Sequence, residues 1–154
     1  MTGPHVDMQK RVRTWSPRRA DIAAWTRAAL GRRARNRELS VRVVGRAESR
    51  RLNARYRGKD HATNVLSFPA PALPARAAAP QPLGDLVICP HVLRSEARAQ
   101  KKSLRAHWAH LVVHGALHLI GYDHERAADA RRMERREIAV LRALGFGNPY
   151  RSTR

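Results

Sequence analysis

The chain has 154 residues, of which 43% are hydrophobic and 28% are charged, proportions typical of one folded domain. Its formal net charge of +19 favours a polyanionic partner such as nucleic acid, although all but four of the 31 basic residues are arginine and biased composition can supply part of the excess. A lone cysteine, Cys89, excludes an internal disulfide, and the chain has neither a leader-like start nor an apolar run of about 18 residues. We therefore expect one cytoplasmic domain over residues 1–154, without a membrane partner.

The N-terminal half alternates between predicted strands and helices. His5–Val12 alternates weakly and predicts a strand. Ser16 and Pro17 then predict a helix start, with Ser16 as N-cap and Gly31 as the end. Later strands are predicted at Leu39–Val44 and Asn64–Phe68, with a short basic helix at Glu48–Tyr56 between them.

The C-terminal half predicts one more strand and three helices. Residues 69–82 are rich in proline and alanine, so we expect a mobile loop there. The elements after it are a strand at Gly84–Cys89 and helices at Pro90–Gln100, from Ser103 onward and at about Glu125–Leu144. The second of these helices is apolar on several sides and should be central and buried. The last should pack through residues such as Met133 and contribute no chemistry.

Three histidines near the end of the central helix have the spacing of a metal site. His114 and His118 are four residues apart, which places both imidazoles on one helix face. Gly121 can end the helix in a left-handed turn and direct His124 towards the other two. Three imidazoles suit a single Zn²⁺ and leave a fourth position for water or substrate, as in catalytic zinc sites.

The residue after the first histidine separates this pattern from a metallopeptidase. The metzincin pattern H-E-x-x-H-x-x-G-x-x-H has glutamate there as general base, whereas this chain has Gly115. A peptidase is therefore disfavoured, although one of unusual mechanism stays open. Separate structural histidines are the remaining alternative, and they are the less frequent explanation of such a spacing.

Further polar residues near this run have two interpretations each. His110 lies one turn before His114 and could carry protons or be a buried structural histidine. Asp123 could orient a ligand imidazole or cap the turn after Gly121. Asp85 could lie near the site at the end of its strand or form hydrogen bonds next to a helix.

Several blocks of sequence resemble the YbeY family of bacterial endoribonucleases that mature ribosomal RNA. The resemblance spans about residues 41 to 150 and is most specific in the histidine run. The matching blocks are residues 52–60 (LNARYRGKD), 63–69 (TNVLSFP), 83–88 (LGDLVI), 107–124, 144–146 (LGF) and 149–150 (PY).

This resemblance implies a fold and an activity. The implied fold is a zincin-like α+β domain, in which helices flank a small mixed four-stranded sheet and zinc binds His114, His118 and His124. The implied activity is cleavage of single-stranded RNA, in processing the 3′ end of small-subunit ribosomal RNA and in ribosome quality control. Ribosomal RNA, the small subunit and ribosome-associated proteins are the implied partners.

The resemblance also assigns a functional arginine to Arg57. We expect Arg57 to bind the scissile phosphate, while zinc on His114 and its fellow ligands acts as a Lewis acid or activates water. The alternative is an RNA-binding ribosome-assembly factor whose zinc is structural and which has no nuclease activity.

Overall fold

The computed structural model describes residues 3–71 and 80–151. Within these ranges the chain forms four strands and five α-helices, with a short 3-10 helix at Gly31–Ala34. The elements are β1 (His5–Lys10), α1 (Arg19–Leu30), β2 (Arg37–Val43), α2 (Arg46–Arg57), β3 (Val65–Pro69), β4 (Gln81–Ile88), α3 (Pro90–Ala99), α4 (Leu104–Leu119) and α5 (Ala127–Ala143).

The four strands form one mixed sheet in the order β1-β2-β4-β3. Strands β1, β2 and β4 are parallel, and β3 pairs antiparallel with β4 at the edge. The parallel pairs need crossover connections, which α1 supplies between β1 and β2. The expected α+β fold with a mixed four-stranded sheet is therefore confirmed.

Helix α4 is the buried centre of the molecule. Trp108, Val112 and Leu117 on it are fully inaccessible to solvent, and they belong to the main hydrophobic cluster with residues of the sheet, α1 and α5. Ser103 Oγ accepts the backbone N–H of Ala106 at 3.1 Å, which confirms the predicted N-cap. A helix buried on most sides holds its polar side chains in fixed positions, so α4 is a rigid support for the histidines at its end.

Helix α2 covers part of the opposite face of the sheet. Leu52 from this helix packs with Phe68 of β3 against a small buried cluster formed by Val44, Leu66 and Val87. This contact brings the C-terminal end of α2, with its basic side chains, to the edge strand β3.

Two predicted helix starts lie too early in the sequence. Helix α1 begins at Arg19 rather than Pro17, and Arg18 rather than Ser16 is its N-cap. The carboxylate of Asp21 accepts the backbone N–H of Arg18 at 3.3 Å, which favours a start directly before this acidic first turn. Helix α5 begins at Ala127, two residues after the predicted start at Glu125.

The predicted loop at 69–82 is too long at its C-terminal end. Strand β4 begins at Gln81 and contains Pro82, which pairs with Glu38 of β2. Strand β3 ends opposite Gly84, so the missing N–H of Pro82 faces no strand there, and a register shift follows between Glu38 and Leu39. The central part of the predicted loop, residues 72–79, lies outside the described residues.

The predicted role of Met133 in the core is confirmed, since this side chain on α5 is 1% exposed. In the described parts of the chain, no helix combines the length and apolar character needed to cross a membrane.

Candidate metal centre and adjoining cleft

The end of α4 and the turn after it bring three histidines together. His114 and His118 lie in the last two turns of α4, and Gly121 follows with φ of +102°, a conformation that side chains rarely adopt. The backbone N–H of Gly121 bonds to His118 O at 3.0 Å, which closes the helix before the chain turns back. His124 thus returns to the same side as the two helical histidines, as the sequence predicted.

The three imidazoles are close enough to share one ion. The ring centroids of His114 and His118 are 4.7 Å apart, those of His118 and His124 are 4.8 Å apart, and those of His114 and His124 are 5.7 Å apart. His118 Nε2 lies 3.0 Å from His124 Nδ1. One nitrogen from each residue lies within 4.8 Å of the others, so modest adjustments would place all three around a divalent cation.

The protonation of His118 suits a metal ligand. Burial, together with charge repulsion from the neighbouring His114 and His124, lowers its pKa to about 4. His118 is therefore neutral at physiological pH and has a nitrogen lone pair available. An uncharged cluster of imidazoles is the donor set that zinc prefers, so these residues fit the ion.

A buried carboxylate on α5 fixes the orientation of His114. Glu137 is fully buried, and its Oε2 accepts the Nδ1–H of His114 at 2.8 Å and the Nε2–H of His110 at 3.1 Å. Its Oε1 accepts the hydroxyl of Tyr150 at 2.5 Å. Burial alone would raise the pKa of Glu137, but the hydrogen bonds from His110 and His114 outweigh it and hold the pKa at about 2. A neutral His114 that donates from Nδ1 keeps its Nε2 lone pair for a metal.

Besides packing, helix α5 places the buried carboxylate of Glu137 against two histidines, a contact that was not predicted from the sequence. The spacing between Glu137 and the apolar residues of α5 indicates that its side chain faces the core. Met133, Val140 and Leu141 lie four residues before, three after and four after it, so Glu137 is on the apolar face of α5. A carboxylate on an apolar face needs buried partners, and His110 and His114 are those partners.

His110 shares the Glu137 carboxylate with His114, and the ring centroids of the two histidines are 6.1 Å apart. Burial lowers the pKa of His110, and the hydrogen bond to Glu137 opposes that effect in part. Its Nδ1 is buried without a hydrogen-bond partner among the described residues. This environment is that of a buried, neutral histidine behind His114.

Of the two aspartates considered from the sequence, Asp123 lies beside the histidines and Asp85 does not. Asp123 Oδ1 accepts the backbone N–H groups of His124 at 2.6 Å and Glu125 at 3.1 Å, so Asp123 caps the turn rather than orienting an imidazole. Asp85 lines a different cleft, on the sheet face away from the histidines. The hypothesis that Asp85 lies near the metal site is therefore wrong.

A cleft of about 690 Å³ opens over the histidines and includes Arg57. Arg57 is the last residue of α2, and Gly58 ends that helix in the left-handed conformation with φ of +70°. The guanidinium of Arg57 is exposed and has no hydrogen bond or ion pair with the described parts of the chain. The lining residues are Tyr56, Arg57, Asn64, Val65, Leu66, Ser67, Phe68, Pro69, His114, His118, Asp123, His124 and Glu125.

Gly115 occupies a position where a larger side chain does not fit. A Cβ at this residue would lie 2.7 Å from Cδ2 of Leu86, which is fully buried in β4, and 3.3 Å from Ser67 Oγ. Helix α4 therefore packs closely on the sheet at the position where a metallopeptidase has its glutamate. A glutamate at this position would have to displace the core.

Comparisons with known proteins agree with this architecture. The family described as endoribonuclease YbeY matches residues 7–145. The solution structure of TM1509 from Thermotoga maritima covers 95% of this chain and 99% of its own, with a TM-score of 0.55 and 19% sequence identity. The likeness to TM1509 is one of fold.

Proposed function

This chain belongs to the YbeY family of endoribonucleases, and we propose that it is a zinc-dependent enzyme that cleaves single-stranded RNA. Its proposed role is processing of the 3′ end of small-subunit ribosomal RNA and ribosome quality control in the cytoplasm, in contact with the small subunit and its associated proteins. One observation carries the proposal. Three clustered imidazoles and an arginine without an ionic partner in the described chain line the same cleft.

His114, His118 and His124 are the proposed ligands of the zinc ion. When bound, zinc supplies Lewis acidity for phosphodiester cleavage. Glu137 accepts the Nδ1–H of His114, which would leave Nε2 of this imidazole to bind the ion. The turn capped by Asp123 keeps His124 beside His118.

Arg57 is the proposed phosphate-binding group. Its guanidinium carries a permanent charge and a planar set of donors that match phosphate oxygens. Since negative charge builds on those oxygens as the phosphodiester bond breaks, Arg57 stabilises the transition state more than the ground state. The backbone N–H of Gly58 bonds to Ala54 O at 3.1 Å, so that Arg57 lies in the last turn of an ordered helix rather than in a loop.

A single-turnover assay tests this proposal. Zinc-loaded protein, His114→Ala and Arg57→Ala are mixed in excess with an end-labelled single-stranded RNA, and Arg51→Ala serves as the control. Arg51 lies on the same helix but lines a different surface hollow. We expect cleavage by the wild type and by Arg51→Ala, and a loss of about 100-fold or more in the other two.

Two outcomes would contradict the proposal. Equal residual cleavage by the wild type and by His114→Ala would indicate a contaminating nuclease. RNA binding with no cleavage, together with loss of folding on chelation, would support the assembly factor with structural zinc. The ends of the products identify the nucleophile, since attack by the ribose 2′-hydroxyl leaves a cyclic phosphate and attack by water does not.

A further inference from the structure

Tyr56 is a large aromatic side chain left in solvent beside the histidines. Three large hydrophobic residues are exposed in the described chain, namely Trp15 at 46%, Tyr56 at 56% and Tyr150 at 47%. Of these, Tyr56 alone lines the cleft of about 690 Å³ that contains the histidines. Its hydroxyl makes no hydrogen bond to the described residues, so the ring is held by other contacts.

Those contacts orient the ring and still leave 56% of Tyr56 exposed. Phe68 of β3 packs against Tyr56 edge to face, with ring centroids 5.2 Å apart and an interplanar angle of 72°. The guanidinium of Arg55 lies 5.3 Å from the centre of the Tyr56 ring. A ring fixed by such contacts loses little conformational freedom when a second flat group stacks on it.

The neighbours of Tyr56 indicate the chemistry of its ligand. The ring stands in the sequence between Arg55 and Arg57, and Arg57 lines the same cleft. A ligand that suits both the ring and the cations has a flat aromatic surface and a negatively charged group a few bonds away. Nucleotides combine these two properties, and guanidinium planes such as that of Arg55 also stack on bases.

We propose that Tyr56 stacks on an unpaired base of the RNA next to the phosphate held by Arg57, and that this contact selects single strands. The inference rests on the proposed function and adds the device by which the cleft distinguishes RNA conformations. In a duplex each base is paired and stacked on its neighbours, so it can reach Tyr56 only by leaving the helix. In a single strand the same base is already available.

Fluorescence of 2-aminopurine tests the stacking directly. Metal-loaded, full-length protein is mixed by stopped flow with single-stranded RNA carrying 2-aminopurine beside the cleavage site, and the quench that precedes any cleavage is recorded. We expect a strong quench with the wild type and with Tyr56→Phe. With Tyr56→Ala the quench disappears and RNA affinity falls about tenfold.

Trp15→Ala is the matched control, because Trp15 is exposed to a similar degree but lies outside the cleft. It should keep the wild-type quench and affinity. The ratio of cleavage rates on single-stranded and duplex RNA should fall in Tyr56→Ala alone. Thermal unfolding of each variant checks the fold, and removal of an exposed ring should leave the midpoint nearly unchanged.

Unchanged quench and affinity in Tyr56→Ala would overturn the proposal. Equal losses in Tyr56→Phe and Tyr56→Ala would also overturn it, since the hydroxyl and not the ring would then be the binding group. Displacement of the RNA by an acidic, aromatic peptide at equal concentration would assign the ring to a protein partner instead. A Tyr56-dependent quench without any cleavage would support the stacking while refuting the proposed nuclease.

Discussion

Glu137 decides which nitrogen of His114 faces the cleft. The carboxylate is fully buried on α5 and accepts the Nδ1–H of His114 at 2.8 Å, so the free lone pair of a neutral His114 is on Nε2. The three histidines could be predicted from their spacing, because helix periodicity and one glycine suffice to bring them together. Glu137 lies 23 residues beyond His114 in the chain, and only the packing of α5 on α4 brings the two into contact.

Replacing Glu137 with glutamine should weaken zinc binding. The amide cannot accept the His114 proton with the strength of a carboxylate, so the imidazole loses its fixed orientation and part of its basicity. We expect zinc affinity to fall about 10- to 100-fold, measured by competition with a coloured chelator. Glu38→Gln, which alters an exposed carboxylate on β2, is the control and should bind as the wild type does. Equal zinc affinity in Glu137→Gln would show that the hydrogen bond does not affect the metal.

Acid should destabilise the metal-free protein through the same residue. The pKa of Glu137 is about 2 in the fold against an ordinary value of 4.5, so its ionised form stabilises the fold above pH 4.5. That stabilisation is lost as the pH falls from 4.5 through 2, and the shift corresponds to about 3 kcal/mol. His118, with its pKa lowered from 6.5 to about 4, adds a loss as the pH falls between those two values.

Urea unfolding at a series of pH values measures this effect. The free energy of unfolding of wild-type protein should decline steeply below pH 4.5, and that of Glu137→Gln should start lower and decline less. Parallel curves for the two proteins would contradict the assignment of this pH dependence to Glu137.

The order of strands and helices could be predicted from local sequence patterns. Some helix and strand ends could not, because a neighbouring residue determined them instead. Ser103 is the N-cap of α4, as predicted. Ser16 is not the N-cap of α1, because Asp21 in the first turn accepts the backbone N–H of Arg18 and the helix begins after that residue. Pro82 was assigned to the predicted loop because residues 69–82 are rich in proline and alanine. In the sheet it lies beyond the end of β3, where its missing N–H has no strand to face, and this register is not readable from local composition.

The turn between α4 and His124 depends on Gly121. Its φ of +102° disfavours any residue with a Cβ, although no atom within 4 Å would obstruct one. Gly121→Ala should therefore lower the free energy of unfolding by about 1–2 kcal/mol and weaken zinc binding, because the strained turn displaces His124.

Gly147→Ala provides a matched control for the glycine variant. This glycine also has open space around it, and its φ lies outside the positive range. Denaturant unfolding and zinc competition on both variants separate backbone strain from loss of a glycine as such. Equal behaviour of the two variants would refute the role given to the turn.

At the scale of the whole molecule, the net charge of +19 should make RNA binding strongly dependent on salt. Aromatic residues make up only 5% of the chain, and two of them, the exposed Tyr56 and its neighbour Phe68, line the cleft. Charge therefore supplies long-range attraction, and the cleft supplies the local contacts.

Removing Arg57 should change this salt dependence by a defined amount. If Arg57 contacts one phosphate, the slope of log affinity against log salt concentration should decrease in magnitude by about 0.7 in Arg57→Ala. Tyr56→Ala should weaken binding with the slope unchanged. Fluorescence anisotropy with a labelled single-stranded RNA at several salt concentrations measures the affinity and its salt dependence. An unchanged slope in Arg57→Ala would show that Arg57 does not contact a phosphate.

RNA cleavage should depend on an ion bound by the three-histidine cluster. The most direct test is the single-turnover cleavage rate of metal-free protein titrated with zinc, with bound metal measured in the same samples and His118→Ala alongside. The rate should rise linearly up to one zinc per chain and then stay constant, and His118→Ala should show no zinc-dependent cleavage. Full cleavage by protein without bound metal, or by zinc-treated His118→Ala, would contradict this dependence.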